Sequence, residues 1–193
     1  HKINHRVINL PFPEAIRNNP PDRCYICKKI LFGQLIRFAA DNSFSHVVDG
    51  SNADDASSHR PGIRALQELG VRSPLLEAGL TKQDIRDLLG AEGLTIASKP
   101  SMACLLTRIP YNTPVSSGMI HMVEQAEDFF RTSGYPGTRV RIHGDLARIE
   151  CHPSNFYRMT QSPDRELIIS GLKKIGFRYV SLDLEGYRSG SYD

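Results

Sequence analysis

A chain of 193 residues has room for one large domain or two small ones, and 40% apolar residues with a mean hydropathy of -0.32 mark a soluble globular protein with a real core. No apolar run approaches the roughly 18 residues a membrane span needs, and a net charge of +3 suits small anions without supplying a strongly basic nucleic-acid tail. Four cysteines, two of them as CxxC and with no secretion signal, argue against a disulfide framework and for metal or redox use in a reducing cytosol.

The pattern over 5–10 (His-Arg-Val-Ile-Asn-Leu) predicts a short strand, followed by loops rich in proline at Pro11, Pro13, Pro20 and Pro21. From Cys24 to Ala40 the spacing of Ile26, Ile30, Leu31, Leu35, Phe38 and Ala39 is helical. Cys24 and Cys27 therefore fall near a helix N-terminus, three apart and among cations, which favours the thiolate. Together with the distant Cys104 they are too few for a closed four-cysteine zinc site and fit a centre with one position open. Their alternatives are zinc ligation or service as buried helix cysteines.

His46-Val47-Val48 reads as a short strand running into the polar loop Asp49-Gly50-Ser51-Asn52-Ala53-Asp54-Asp55. Such a loop at the carboxyl end of a strand is a ligand-site candidate, and equally an Asp-Gly turn with a helix cap. Val71 to Leu76 is a further strand candidate. Thr81-Lys82-Gln83-Asp84 has the form of a capping box, and Ile85, Leu88 and Leu89 continue one apolar face until Gly90 and Gly93. This alternation predicts an α/β unit with a parallel sheet over 1–115.

The block Lys99-Pro100-Ser101-Met102-Ala103-Cys104-Leu105-Leu106-Thr107-Arg108 brackets one thiol with two cations suited to a substrate anion or pyrophosphate. Residues 111–118 read as a linker. Beyond it, an amphipathic helix (Met119 to Phe130), a hairpin (Thr138 to Ile142, Leu146 to Cys151), a helix opened by Pro163 and a strand (Arg178 to Leu184) predict a smaller α+β unit over 116–193. Arg139 and Arg141 share one strand face. They suit a phosphate or paired carboxylates, or else form a solvated face with Glu150 opposite. Cys151 alternates with Ala147 and Ile149 and reads as core.

The blocks Asn19-Pro20-Pro21-Asp22-Arg23-Cys24-Tyr25, Asp49 to Asp55, Arg60-Pro61-Gly62, Ser73 to Glu77, Lys99 to Tyr111, His143 to Glu150 and Leu182 to Ser191, in this order, resemble the LarE family of ATP-dependent sulfur transferases, within the PP-loop ATP pyrophosphatases. The resemblance implies a parallel-sheet PP-loop (adenine nucleotide alpha hydrolase-like) domain and a cytoplasmic, homo-oligomeric enzyme. It implies adenylylation of a pyridinium dicarboxylate mononucleotide by ATP and Mg2+, then sulfur insertion for a nickel-pincer cofactor, with an external sulfide source and no membrane or nucleic-acid partner. Cys24, Cys27 and Cys104 match members whose three cysteines hold a [4Fe-4S] cluster, whereas other members sacrifice a single cysteine sulfur. By the same resemblance Cys104 and Arg108 are catalytic. Asp49, Gly50, Asn52, Asp54 and Asp55 meet the nucleotide, and Lys99, Ser101, Arg139 and Arg141 meet substrate or phosphate; Glu127, on the helix before the hairpin, is a further substrate-site candidate by its position.

The family's Ser-Gly-Gly-x-Asp-Ser phosphate loop is not among these residues. The start without methionine predicts that the encoded protein carries it in about 50 further residues, on the order of one βαβ unit. Two rival readings are a tRNA-thiolating relative, which should show salt-dependent RNA binding, and a non-catalytic zinc-binding module, which should lack iron.

Overall fold

The computed structural model describes residues 4–56, 61–99 and 103–188. The chain divides into two units, His1–Ala97 and Ser98–Asp193.

In the first unit, α1 (Arg23–Asp41) occupies the span its apolar periodicity predicts. It packs against α3 (Pro61–Glu68), which follows the single turn α2 (Ala53–Ala56). At Gly62 the Lys28 side chain crosses the helix surface. A Cβ there would stand 2.9 Å from Cδ of Lys28 and 3.6 Å from the Cys24 carbonyl oxygen. Next come α4 (Pro74–Glu77) and α5 (Lys82–Ala91). The capping box is present as predicted. The Asp84 amide donates to Thr81 Oγ1 at 3.2 Å, and the Thr81 amide donates to Asp84 Oδ2 at 2.8 Å.

Three strand expectations change, at 5–10, at His46 to Val48 and at Val71 to Leu76. Residues 5–10 form no strand; Val7 is 73% exposed, and no described segment pairs with them. A strand pattern without a neighbour leaves its backbone groups to water. The stretch 71–76 pairs only at Arg72, in a parallel bridge with Val48. Pro74 then sits in the first turn of α4, where its missing N–H costs nothing, and turns Leu75 and Leu76 into helix.

The second unit is α+β. α6 (Ser117–Thr132) starts where the Ser116 hydroxyl accepts the Met119 amide at 3.1 Å. β1 (Arg139–His143) and β2 (Leu146–Glu150) form the predicted antiparallel hairpin. Its tight turn places Gly144 at a φ of 58°, at the first central position, where glycine is favoured. After α7 (Phe156–Thr160) and α8 (Asp164–Ile175), β3 (Tyr179–Leu182) returns parallel to β2, giving the order β1-β2-β3. One sheet face presents Val140, Ile142, Ala147 and Ile149 to Val123, Ala126 and Phe130 of α6 and to Ile168 and Leu172 of α8, all buried. Cys151 is fully buried in this core, as predicted, with Sγ 3.5 Å from Met159 Sδ, and burial pushes its thiol up to about 11. Ile109 and Val115 are buried in the same unit. Among the described residues no helix is long and apolar enough to cross a membrane.

Candidate functional site

The predicted site residues fall into one cluster in each unit. In the first, Cys24 and Cys27 stand in the first two turns of α1, i and i+3, and so share a face. Cys24 is exposed and Cys27 half-buried, and no disulfide engages either. Between them Tyr25 donates to Glu68 at 2.6 Å, Lys29 pairs with the same carboxylate at 2.8 Å, and the Arg64 guanidinium lies 4.3 Å from the Tyr25 ring. These contacts brace the CxxC turn against α3.

Lys28, the residue after Cys27, passes over Gly62 and brings Nζ to 3.9 Å from Asp49. Asp49 accepts from the hydroxyls of Ser51 and Ser73, each at 2.6 Å. Burial raises its carboxyl, but the two hydroxyls and Lys28 outweigh that and hold it below the usual aspartate range. The rest of the loop folds on itself. Asp55 accepts the Asn52 amide at 3.1 Å, the Asn52 side chain accepts the Asp54 amide at 3.1 Å, and Asp54 accepts the Lys82 amide at 2.9 Å. Gly50 is exposed with open space around it.

In the second unit, Cys104 is exposed at the start of a 3-10 turn, Leu105–Arg108. Arg108, only 3% exposed, makes a fork to Glu127 of α6 at 2.5 and 3.2 Å. Glu127 also takes Arg139 at 3.4 Å and the Val140 amide at 3.2 Å. The paired cations are thus drawn onto a helix carboxylate. Arg141 and Arg148 stand directly opposite each other across the hairpin, an unfavourable like-charge pair. Glu150 resolves it, with Oε1 accepting from Arg141 at 2.7 Å and from Arg148 at 2.8 Å. Arg148 reaches Asp183 at 3.5 Å, and Arg141 also donates to the Thr107 carbonyl. Burial, then Arg148 and Arg141, hold His143 below its ordinary value.

Of the alternative reading of this face, the pairing with Glu150 is present and the solvation is not. The 105–108 turn packs on β1, and Arg141 and Glu150 are buried. Lys99 is exposed, and Ser101 lies outside the described residues. Sequence reasoning passed over Lys28, Ser73, Arg148 and Asp183. The alternation that linked Arg139 to Arg141 also puts Arg148 and Glu150 on that face, whereas nothing in the local pattern joins Lys28 to Asp49. A groove of about 510 Å³ between α6 and α8, lined by Phe129, Leu167, Gly171 and Ile175, contains none of the predicted site residues.

Among the described residues, no group of three or more His, Cys, Asp or Glu forms a metal site. The CxxC turn nonetheless suits part of a cluster site, since its two cysteines, one exposed and one half-buried, share a helix face and stand beside Lys28 and Lys29.

No family model matches the chain. It is 40% identical over 92% of its length to pyridinium-3,5-bisthiocarboxylic acid mononucleotide synthase of Lactiplantibacillus plantarum, and 39% identical over 89% to an uncharacterized Synechocystis protein. It is also 35% identical over 98% of its length to an uncharacterized protein of Methanocaldococcus jannaschii. The chain spans 63%, 64% and 72% of these relatives in that order. At this identity and coverage it belongs to the family they share. The Lactiplantibacillus plantarum relative is named for synthesis of a pyridinium bisthiocarboxylic acid mononucleotide, and the sequence blocks of this chain resemble the LarE family.

Proposed function

We propose that this chain belongs to an ATP-dependent sulfur transferase that converts a pyridinium-3,5-dicarboxylate mononucleotide to its thiocarboxylate for a nickel-pincer cofactor. The observation that carries this reading is the 40% identity, over 92% of the chain, to an enzyme named for that product. The first unit then belongs to a parallel-sheet PP-loop nucleotide domain, and the second is an α+β substrate domain.

A substrate carboxylate oxygen attacks the α-phosphorus of ATP, and the bond to pyrophosphate breaks. Sulfide then adds to the acyl carbon, AMP leaves and one proton is released with the thiocarboxylate. Mg2+ with Asp49, Asn52, Asp54 and Asp55 serves the nucleotide, with Gly50 leaving room for backbone approach. Arg108, Arg139 and Arg141, ordered by Glu127 and Glu150, and with Lys99 and Ser101, serve the anionic groups of the substrate. A fixed fork costs little reorganisation when charge develops. Cys24, Cys27 and Cys104 would hold a [4Fe-4S] cluster, which when bound leaves one iron open to sulfide. Their share of the work is to bind it as thiolates and stay intact. The enzyme is cytoplasmic and homo-oligomeric.

Anaerobically purified protein is expected to contain iron and acid-labile sulfide, and to release pyrophosphate from ATP only when the dicarboxylate is present. Zinc without pyrophosphate release, or pyrophosphate release driven by bulk tRNA, overturns the reading.

A further inference from the structure

We propose that Tyr187 is a substrate-binding residue whose ring stacks on the cationic pyridinium beside Arg139; this deepens, and rests on, the functional reading above. After β3 the chain is strapped back onto the end of β2. The Asp183 amide donates to the Ile149 carbonyl at 2.9 Å, the Gly186 amide to the Asp183 carbonyl at 3.1 Å, and the Tyr187 amide to the Cys151 carbonyl at 2.9 Å. Gly186 permits this turn twice over. Its φ is 72°, and a Cβ there would stand 2.8 Å from the Cys151 carbonyl oxygen and 3.3 Å from the Pro153 ring.

The strap puts the Tyr187 ring 5.7 Å from the Arg139 guanidinium, which shares Glu127 with Arg108. The ring therefore already accepts one planar cation at cation-π distance. It is 44% exposed, so a further part of its surface is open to a ligand.

The chemistry of the substrate asks for such a group. Its carboxylates and phosphate are served by guanidiniums, which repel the positive ring. A carboxylate placed to hold that ring would repel the anions. An aromatic face attracts the cation while carrying no charge, so it serves both ends of the ligand.

The test measures binding by calorimetry to the purified protein and to Tyr187→Phe and Tyr187→Leu. Two probes are used: the pyridinium dicarboxylate mononucleotide and its neutral 1,4-dihydropyridine counterpart, with the same carboxylates and phosphate. Tyr187→Leu is expected to weaken the pyridinium probe by about three- to thirty-fold and to leave the neutral probe unchanged, and Tyr187→Phe is expected to bind both as the natural protein does. Equal weakening of both probes, or no weakening in Tyr187→Leu, overturns the stacking role alone. Failure of the natural protein to bind either probe overturns the functional reading and the stacking role with it.

Discussion

Replacing Arg141 by alanine tests the buried hairpin network. Glu150 is 1% exposed and takes two guanidiniums on one oxygen. Without Arg141 it keeps Arg148, itself 28% exposed, and the Thr107 carbonyl loses a donor. Removing one partner of a buried pair costs about 3–5 kcal/mol, and the remaining Arg148 bond puts this case near the low end, about 3 kcal/mol. Arg131→Ala is the control. Its pair with Asp128 is 63% exposed on both sides and contributes about 0–1 kcal/mol. Urea unfolding followed by circular dichroism reads both, with separate transitions fitted if the two units unfold independently. A loss in Arg141→Ala no larger than in the control refutes the argument. The double variant Arg141→Met/Glu150→Leu should recover part of the loss, because no charge is left buried alone. Reduced substrate use in Arg141→Ala is thus to be read against its stability, whereas Arg139, at 16% exposure, is the cleaner probe of anion binding.

Folded protein freed of iron should present three thiols that react with a disulfide reagent near pH 8, Cys24, Cys27 and Cys104, while Cys151 reacts only after unfolding; a fast fourth thiol contradicts the core assignment. The Tyr135 hydroxyl, buried and donating to Asp164, is raised to about 12 from 10.0. A folded value above the unfolded one adds stability that is full below pH 10 and lost as pH rises to 12, so Tyr135→Phe should flatten that decline; parallel curves refute it. Gly171→Ala would put a Cβ 2.6 Å from the Phe129 ring and should cost about 1–3 kcal/mol by overpacking α6 against α8; an unchanged urea midpoint refutes it.

Periodicity made α1, α6, α8 and the hairpin legible, with the Ser116 cap of α6 and the Gly144 turn of the hairpin as added signals. It misled at Val71 to Leu76, where a proline in the first helical turn outweighed an apolar run. Alternation put Arg139 and Arg141 on one face but could not report that the Leu105–Arg108 turn covers it; burial of a polar face is a tertiary fact. Lys28 and Asp49 meet across Gly62, a relation carried by no local pattern. The blocks that joined Cys24, Cys27 and Cys104 to one chemistry were read from family resemblance rather than spacing.

The most direct test of the proposed chemistry is mass spectrometry of substrate and protein together, after anaerobic incubation with ATP, Mg2+, sulfide and the pyridinium dicarboxylate mononucleotide. The account predicts a product with sulfur in place of a carboxylate oxygen, more than one per chain, and a peptide containing Cys104 of unchanged mass. A Cys104 peptide that has lost hydrogen sulfide in step with product contradicts the cluster-ligand role, and the absence of any thiocarboxylate contradicts the account as a whole.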